Sequence, residues 1–315
     1  MRVHSLFFLL GLAISLPAQS ATEVWVYSSV YKEFITPIAT AFEKQNPDIK
    51  VQVFQGGSEK IQAKVESELM AQKPQADVIM VSDPFWPAQM AKRDLVEPRK
   101  SGAPYDISYY SLMVMIAHKD VPAAERPGKW SDLTDAKFAK KVQMGSPLES
   151  GTMFTTVAYL SQKYGWGYFE KLRKNGIASS GGNSAVIQKV ESGERKLGIV
   201  LLENALAAQK RGSPIEIIYP ADGGIPIPSV QLVTKSSPHK AEALKFSAFL
   251  LQAEGQTMLK AGYMYSADPN LAPPVGAKPF SEATKGATLW TPEAITKTSE
   301  QAKDIKKKFS EIVLD

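Results

Sequence analysis

Two α/β lobes, one inserted into the other, are the fold class this 315-residue sequence predicts. Three observations point there. Strand, polar turn and helix alternate three times within about 75 residues after residue 21. A second alternating stretch follows a long apolar strand near Tyr109. The chain is long enough for about two ordinary domains, and with 22% charged and 44% hydrophobic residues it resembles neither a disordered nor a low-complexity polymer.

Taken in order, the first twenty residues belong to targeting. Arg2 and His4 make a short polar start, Leu6 to Leu16 is an 11-residue apolar run, and Pro17 breaks it. Ala18-Gln19-Ser20 presents small residues where a signal peptidase cuts. Eleven apolar residues make about 16 Å of helix, roughly half a bilayer core, which is too short for a stable span. Cleavage is expected after Ser20. No cysteine follows to carry a lipid, and no later stretch reaches 18 consecutive apolar residues. The expected location is the periplasm, free of the membrane.

Glu23 to Tyr27 alternates like a strand. After Ser28-Ser29 a helical stretch carries Phe34, Ile38 and Phe42 on one face, with Pro37 inside it predicting a kink or a late start. Lys50 to Phe54 is a second strand. Gly56-Gly57-Ser58 then opens a helix with Ile61, Val65 and Leu69 at a spacing of four. Ala76 to Val81 reads as a buried parallel strand, ended by Ser82-Asp83-Pro84 and followed by a helix with Trp86 and Met90.

The second lobe begins with the apolar strand Tyr109 to His118. Trp130 to Lys140 reads as a capped segment, with Ser131 or Asp132 as the cap, and Val142 to Gly145 as a strand. Ser146 to Thr152 is a turn that opens a helix over Met153 to Tyr164. Asn183-Ser184 starts a shorter helix, and Leu197 to Leu202 is a buried strand that stops at Glu203-Asn204. The chain then runs extended through Ile225 to Pro228 and Val230 to Thr234, before an amphipathic helix over Ala241 to Leu251. Lobe 1 is expected to comprise residues 21–108 and 229–280, and lobe 2 residues 109–228 and 281–315. The crossings are expected near Tyr109 and in the Ile225 to Thr234 stretch.

In open α/β sheets, ligands bind beyond the carboxyl ends of the strands, where helix N-termini converge. Those ends carry Ser28-Ser29, Gly57-Ser58, Ser82-Asp83, Ser146 and Ser150-Gly151-Thr152. Each supplies a hydroxyl, small side chains or both, together with free backbone N–H groups of a first helical turn. Such groups cradle a phosphate, phosphonate or carboxylate without a permanent counter-ion. Ser and Thr are also the favoured helix caps, so any one of these junctions is explained equally by capping. Three acids, Asp83, Glu149 and Glu203, sit at strand or turn ends. They are candidates for ligand hydroxyls or ammonium groups, or for caps and ion pairs. Glu203 is the most informative, because it ends an apolar strand where a buried carboxylate needs a partner. Tyr109 and Trp86 are candidates for cleft walls, and Trp86 fits a core position as well.

Composition narrows the chemistry. Cysteine is absent and histidine occurs only at His4, His118 and His239, which excludes thiol nucleophiles, disulfide frameworks and Cys/His zinc sites. Neither histidine beyond the leader has a nucleophile beside it. A Gly-x-Ser-x-Gly elbow and a Gly-Lys-Ser/Thr phosphate loop are both missing. No catalytic residue, cofactor or metal is therefore expected, although a hydrolase using two carboxylates stays open. The formal charge is +5, and its clearest cluster, Lys303, Lys306, Lys307 and Lys308, fits a solvated helix end rather than a nucleic-acid groove.

These residues resemble a family, the type 2 periplasmic solute-binding proteins of ABC importers, in the branch of ferric-iron, thiamine, phosphonate and sugar-phosphate binders. The resemblance spans nearly the whole chain after the leader. It rests on residues 24–51 and 76–86 in the first lobe and on residues 146–172 and 180–200 in the second, with 227–263 closing the chain; the Ser150-Gly151-Thr152 helix start and the closing segment are its most specific parts. It implies the two-lobed periplasmic-binding-protein type 2 fold, with a hinge, an inter-lobe ligand cleft and a membrane permease as partner. A monomer is expected. Iron-binding members would place two adjacent tyrosines just past the strand that here reads Leu197 to Leu202. This chain has Glu203-Asn204-Ala205-Leu206 there. By resemblance to the phosphate-type members, ligand roles fall on Ser28, Ser29, Ser150, Gly151 and Thr152, with Glu203 on the organic part. The expected ligand is a small phosphorylated organic anion, such as an aminoalkylphosphonate or sugar phosphate; ferric iron is the alternative.

Overall fold

Apolar residues recur every second position along the first strand and every third or fourth along the helix after it, and that switch of period builds the first layer. The computed structural model describes residues 21–99 and 104–315; the expected leader, residues 1–20, lies outside the described residues. Strand β1 (Thr22–Ser28) buries Val24 and Val26, and α1 (Lys32–Gln45) covers them with Ile35, Ile38 and Phe42. Pro37 lies within α1 and faces solvent, and the helix starts five residues before it, so the late start does not occur. Strand β2 (Ile49–Gln55) and helix α2 (Ser58–Met70) follow, then β3 (Val78–Val81) and α3 (Phe85–Lys92). β1 pairs in parallel with both β2 and β3.

The long strand β4 (Asp106–His118) leads into the second lobe. The expected capped segment after it resolves into two short 3₁₀ turns, Trp130–Thr134 and Ala136–Phe138, with the Asp132 carboxylate accepting the Gly128 and Lys129 N–H groups. Then come β5 (Val142–Met144), α4 (Gly151–Tyr164), α5 (Trp166–Lys174), β6 (Ala178–Ser179) and α6 (Asn183–Glu191). Strand β7 (Leu197–Leu201), α7 (Leu202–Lys210) and β8 (Ile215–Ile218) complete that lobe's run. The chain returns through β9 (Ile225–Val233) to α8 (Lys240–Leu251), α9 (Ala253–Ala261) and β10 (Tyr265–Ser266). It ends with α10 (Phe280–Ala283), α11 (Pro292–Glu300) and α12 (Ala302–Phe309).

The strands form one sheet in the order β2-β1-β3-β9-β4-β7-β5-β6, with β8 and β10 also paired to β4. β4 and β9 pair antiparallel from Asp106↔Gln231 to Met113↔Ile225. β9 reaches β3 only through Val230 to Val233. That division explains Pro226 and Pro228, two residues that cannot donate to a ladder. They lie in the half of β9 that pairs with β4 but not with β3, so their missing N–H groups take nothing from the β3 ladder.

Each lobe has its own apolar core. One forms around Val24, Ile38, Phe42 and Phe246, and another around Trp130, Val157, Phe169 and Ile199. The C-terminal helices, which the sequence places with lobe 2, touch both. α11 lies against α3, where Gln89 donates to the Ser299 carbonyl and Lys92 pairs with Glu300. Beyond it Phe309 packs edge-on against Phe169 of α5, and the Lys306 ammonium bonds Glu59 of α2 at 2.6 Å.

Candidate functional site

A cleft of about 550 Å³ opens between the lobes, and helix N-termini from both sides point into it. Ten of the sequence-predicted residues line it: Ser29, Gly57, Ser58, Ser82, Tyr109, Glu149, Ser150, Gly151, Thr152 and Glu203. On the lobe 1 side the Ser29 and Ser82 hydroxyls lie 3.1 Å apart, and the buried Tyr109 hydroxyl reaches Ser82 at 3.0 Å. Ser58 accepts the Ser82 N–H at 3.1 Å, which ties the start of α2 to the end of β3. On the lobe 2 side Ser150 caps α4, its hydroxyl taking the Met153 N–H and lying 3.0 Å from the Thr152 hydroxyl. The N–H groups of Gly151 and Thr152 are left without an acceptor inside the helix.

The two sides approach most closely at the start of α4. A Cβ added to Gly151 would stand 2.7 Å from the Ser58 Cβ and 3.2 Å from Asp83 Oδ2. Only a residue without a side chain lets α4 approach α2 this closely. A second contact crosses the cleft at Tyr31, which precedes α1. Its hydroxyl accepts the Asn204 amide at 3.0 Å and lies 3.4 Å from the Ser184 hydroxyl.

Three predicted residues do not line the cleft, because their side chains serve the backbone. The Ser28 hydroxyl accepts the Val30 N–H, and the Ser146 hydroxyl accepts the Leu148 N–H. Asp83 accepts from Phe85 and Trp86 at the start of α3, and burial with the nearby Glu59 pushes its carboxyl up to about 6. Trp86 is also core: it is buried, and its indole donates to Glu66. Glu203 belongs to the first turn of α7 rather than to a loop past the strand. Burial pushes its carboxyl up to about 7, although the Ser111 hydroxyl donates to Oε1 at 2.6 Å. Glu149 accepts the Gly181 N–H at 3.1 Å.

The cleft holds residues that sequence reasoning passed over: Tyr31, Glu33, Asn183, Ser184, Glu191, Asn204 and Arg211. Asn183 donates to the Thr152 hydroxyl and accepts the Leu201 N–H, so it ties α6 to α4 and β7. Asn183 and Ser184 follow Gly181-Gly182 at a helix start, and the rule that selected the other junctions would have found them. Glu191 and Arg211 lie at helix C-terminal ends, which that rule does not reach. Among the described residues no group of three or more His, Asp or Glu side chains is placed to hold a metal ion.

Comparison with known proteins places this geometry. Residues 24–264 match the family model described as bacterial extracellular solute-binding protein. A Salmonella typhimurium protein, provisionally named a 2-aminoethylphosphonate-binding periplasmic protein, is 26% identical over an alignment of 226 residues that covers 66% of this chain and 66% of that one. The fold matches the periplasmic binding protein AfuA of Actinobacillus pleuropneumoniae, solved with fructose 6-phosphate, at a TM-score of 0.81 and 23% identity, covering 94% of this chain and 99% of that one. It also matches iron-bound HitA of Pseudomonas aeruginosa at a TM-score of 0.79 and 20% identity, over 91% of this chain and 99% of that one.

Proposed function

The chain belongs to the bacterial extracellular solute-binding proteins, as a type 2 periplasmic receptor of an ABC importer, and from that premise we propose that it captures a small phosphorylated organic anion and hands it to the permease. The observation that carries this reading is the meeting of α2 and α4, whose N-terminal turns converge on the cleft with Ser29, Ser58, Ser82, Ser150 and Thr152 around them. Free N–H groups and hydroxyls hold phosphoryl oxygens by charge-assisted bonds that strengthen as water leaves. No covalent step is needed. The ligand bridges the lobes, and its greater affinity for the closed form is what shifts the population toward closure.

The relatives' ligands support the phosphoryl end without selecting one compound: an aminoalkylphosphonate is named for one and a sugar phosphate is bound in another. Iron fits this donor set less well. The position after β7 holds Glu203 and Asn204 instead of phenols, and hard Fe³⁺ without phenolates needs several carboxylates grouped together, which the described residues do not provide. The test is a thermal-shift and native mass spectrometry screen of the purified mature protein against phosphorylated metabolites and ferric citrate. A true ligand at about 100 times its Kd adds about 2.7 kcal/mol of stability. Silence toward every phosphoryl compound, or a coloured iron-loaded protein, overturns the reading. Turnover of a phosphate ester would reassign the cleft to a hydrolase.

A further inference from the structure

The cleft that receives an anion is itself lined with acids. Its lining holds four carboxylates, Glu33, Glu149, Glu191 and Glu203, and one guanidinium, that of Arg211. Helix N-termini supply about half a positive charge each and only within their first turn, so they favour an anion at the α2/α4 meeting point and not across the whole cavity. A ligand that was anionic throughout would meet repulsion along the remaining wall.

That wall also holds an acceptor in need of a donor. The Asn204 amide nitrogen is committed to the Tyr31 hydroxyl, which orients the side chain. Its Oδ1 is buried and has no hydrogen-bond partner among the described residues. A buried acceptor left this way is costly, and a donor arriving with the ligand removes the cost. Glu203 is the adjacent residue on the same helical turn. The groups around its carboxyl are the Ser111 hydroxyl and the phenols of Tyr109 and Tyr265, none of them a cation. The rise of its carboxyl to about 7 reflects that lack of compensation.

We propose that Asn204 and Glu203 read the far end of the ligand and that this end carries an ammonium group, making the solute a zwitterion with a phosphoryl head. An ammonium offers three donors and a full charge, which serves Oδ1 of Asn204 and the Glu203 carboxylate together. A hydroxyl offers one donor and no charge. This inference rests on the phosphoryl reading above and deepens it.

Calorimetry with three compounds of one head group tests it: 2-aminoethylphosphonate, 2-hydroxyethylphosphonate and ethylphosphonate. The amino compound is expected to bind at least about tenfold tighter than either analogue. Glu203→Gln and, separately, Asn204→Ala should each erase most of that advantage, read within each folded variant as the ratio of 2-aminoethylphosphonate to ethylphosphonate affinity, because Asn204→Ala also removes the Tyr31 bond and weakens all three compounds alike. Equal binding of all three compounds, or an advantage that survives both substitutions, overturns the zwitterion and leaves the phosphoryl reading standing. If none of the three binds while hexose phosphates do, the head group stands and the ammonium falls. If no phosphoryl compound binds at all, both fall.

Discussion

Gly151 and Ser58 stand so close across the cleft that a single methyl group on the glycine would be driven to 2.7 Å from the serine Cβ. The neighbouring Asp83 oxygen blocks the other way out at 3.2 Å. Gly151→Ala therefore has to push α4 away from α2. We expect ligand affinity to drop at least about tenfold, with overpacking costing about 1–3 kcal/mol in the closed form. Small-angle scattering should report a larger radius for the ligand-soaked variant than for the parent. Unchanged affinity and radius would show that the lobes meet elsewhere.

The Tyr31 hydroxyl joins the lobes through Asn204 and Ser184. Tyr31→Phe removes the hydroxyl and keeps the ring, so the loss is confined to about 1 kcal/mol of trans-cleft bonding. The expected signature is a several-fold faster ligand dissociation with the melting temperature of the unliganded protein nearly unchanged. Stopped-flow release separates the two; a slower or equal release rate contradicts the bridging role.

Ser29→Ala and Thr152→Ala probe the two sides of the proposed phosphoryl site separately. Each should weaken binding by about 1–3 kcal/mol if it leaves a phosphoryl oxygen unpaired. The Thr152 change carries a second effect, because its hydroxyl also accepts the Asn183 amide. Calorimetry on both variants decides, and full affinity in the two together removes these hydroxyls from the site.

Asp83 makes stability depend on pH in a direction opposite to that of most carboxylates. Burial and the nearby Glu59 lift its carboxyl from 3.8 to about 6 in the folded chain. Between those values the folded state binds more proton than the unfolded state, so stability falls as pH rises. Above about pH 6 the contribution is fully lost, a difference of about 3 kcal/mol. Asp83→Asn stays neutral while its amide oxygen still accepts the Phe85 and Trp86 N–H groups. Urea midpoints at pH 4.5 and 7.5 should converge in the variant relative to the parent. Parallel behaviour of the two proteins would show that Asp83 does not titrate in this range.

Much of this architecture is legible one segment at a time. The alternation of Val24 and Val26 and the spacing of Ile38 and Phe42 each follow from a local period, and the structure keeps them. Ser150 both lines the cleft and caps α4, because caps and anion sites use the same residue types. For the same reason the sequence expectation reaches Ser28 and Ser146, whose hydroxyls accept N–H groups two residues on: a hydroxyl satisfied locally looks identical in sequence to one left for a ligand. Asp83 does not line the cleft because its Oδ1 accepts the Phe85 and Trp86 N–H groups that open α3. Tyr31 and Asn204 stayed hidden for a different reason. They lie 173 residues apart, and a contact made only when two lobes meet leaves no periodic trace.

The placement of β9 between β3 and β4 also constrains how the protein is made. The first lobe's sheet lacks that strand until residue 233 has left the ribosome. Residues 21–99 alone would hold β3 with an open edge and without Phe246, which seals the core over Phe42. Pairing across so long a stretch of chain is slow, because loop-closure entropy is spent before the contacts form. A late-completing topology keeps the nascent first lobe pliable until most of the second lobe has been made.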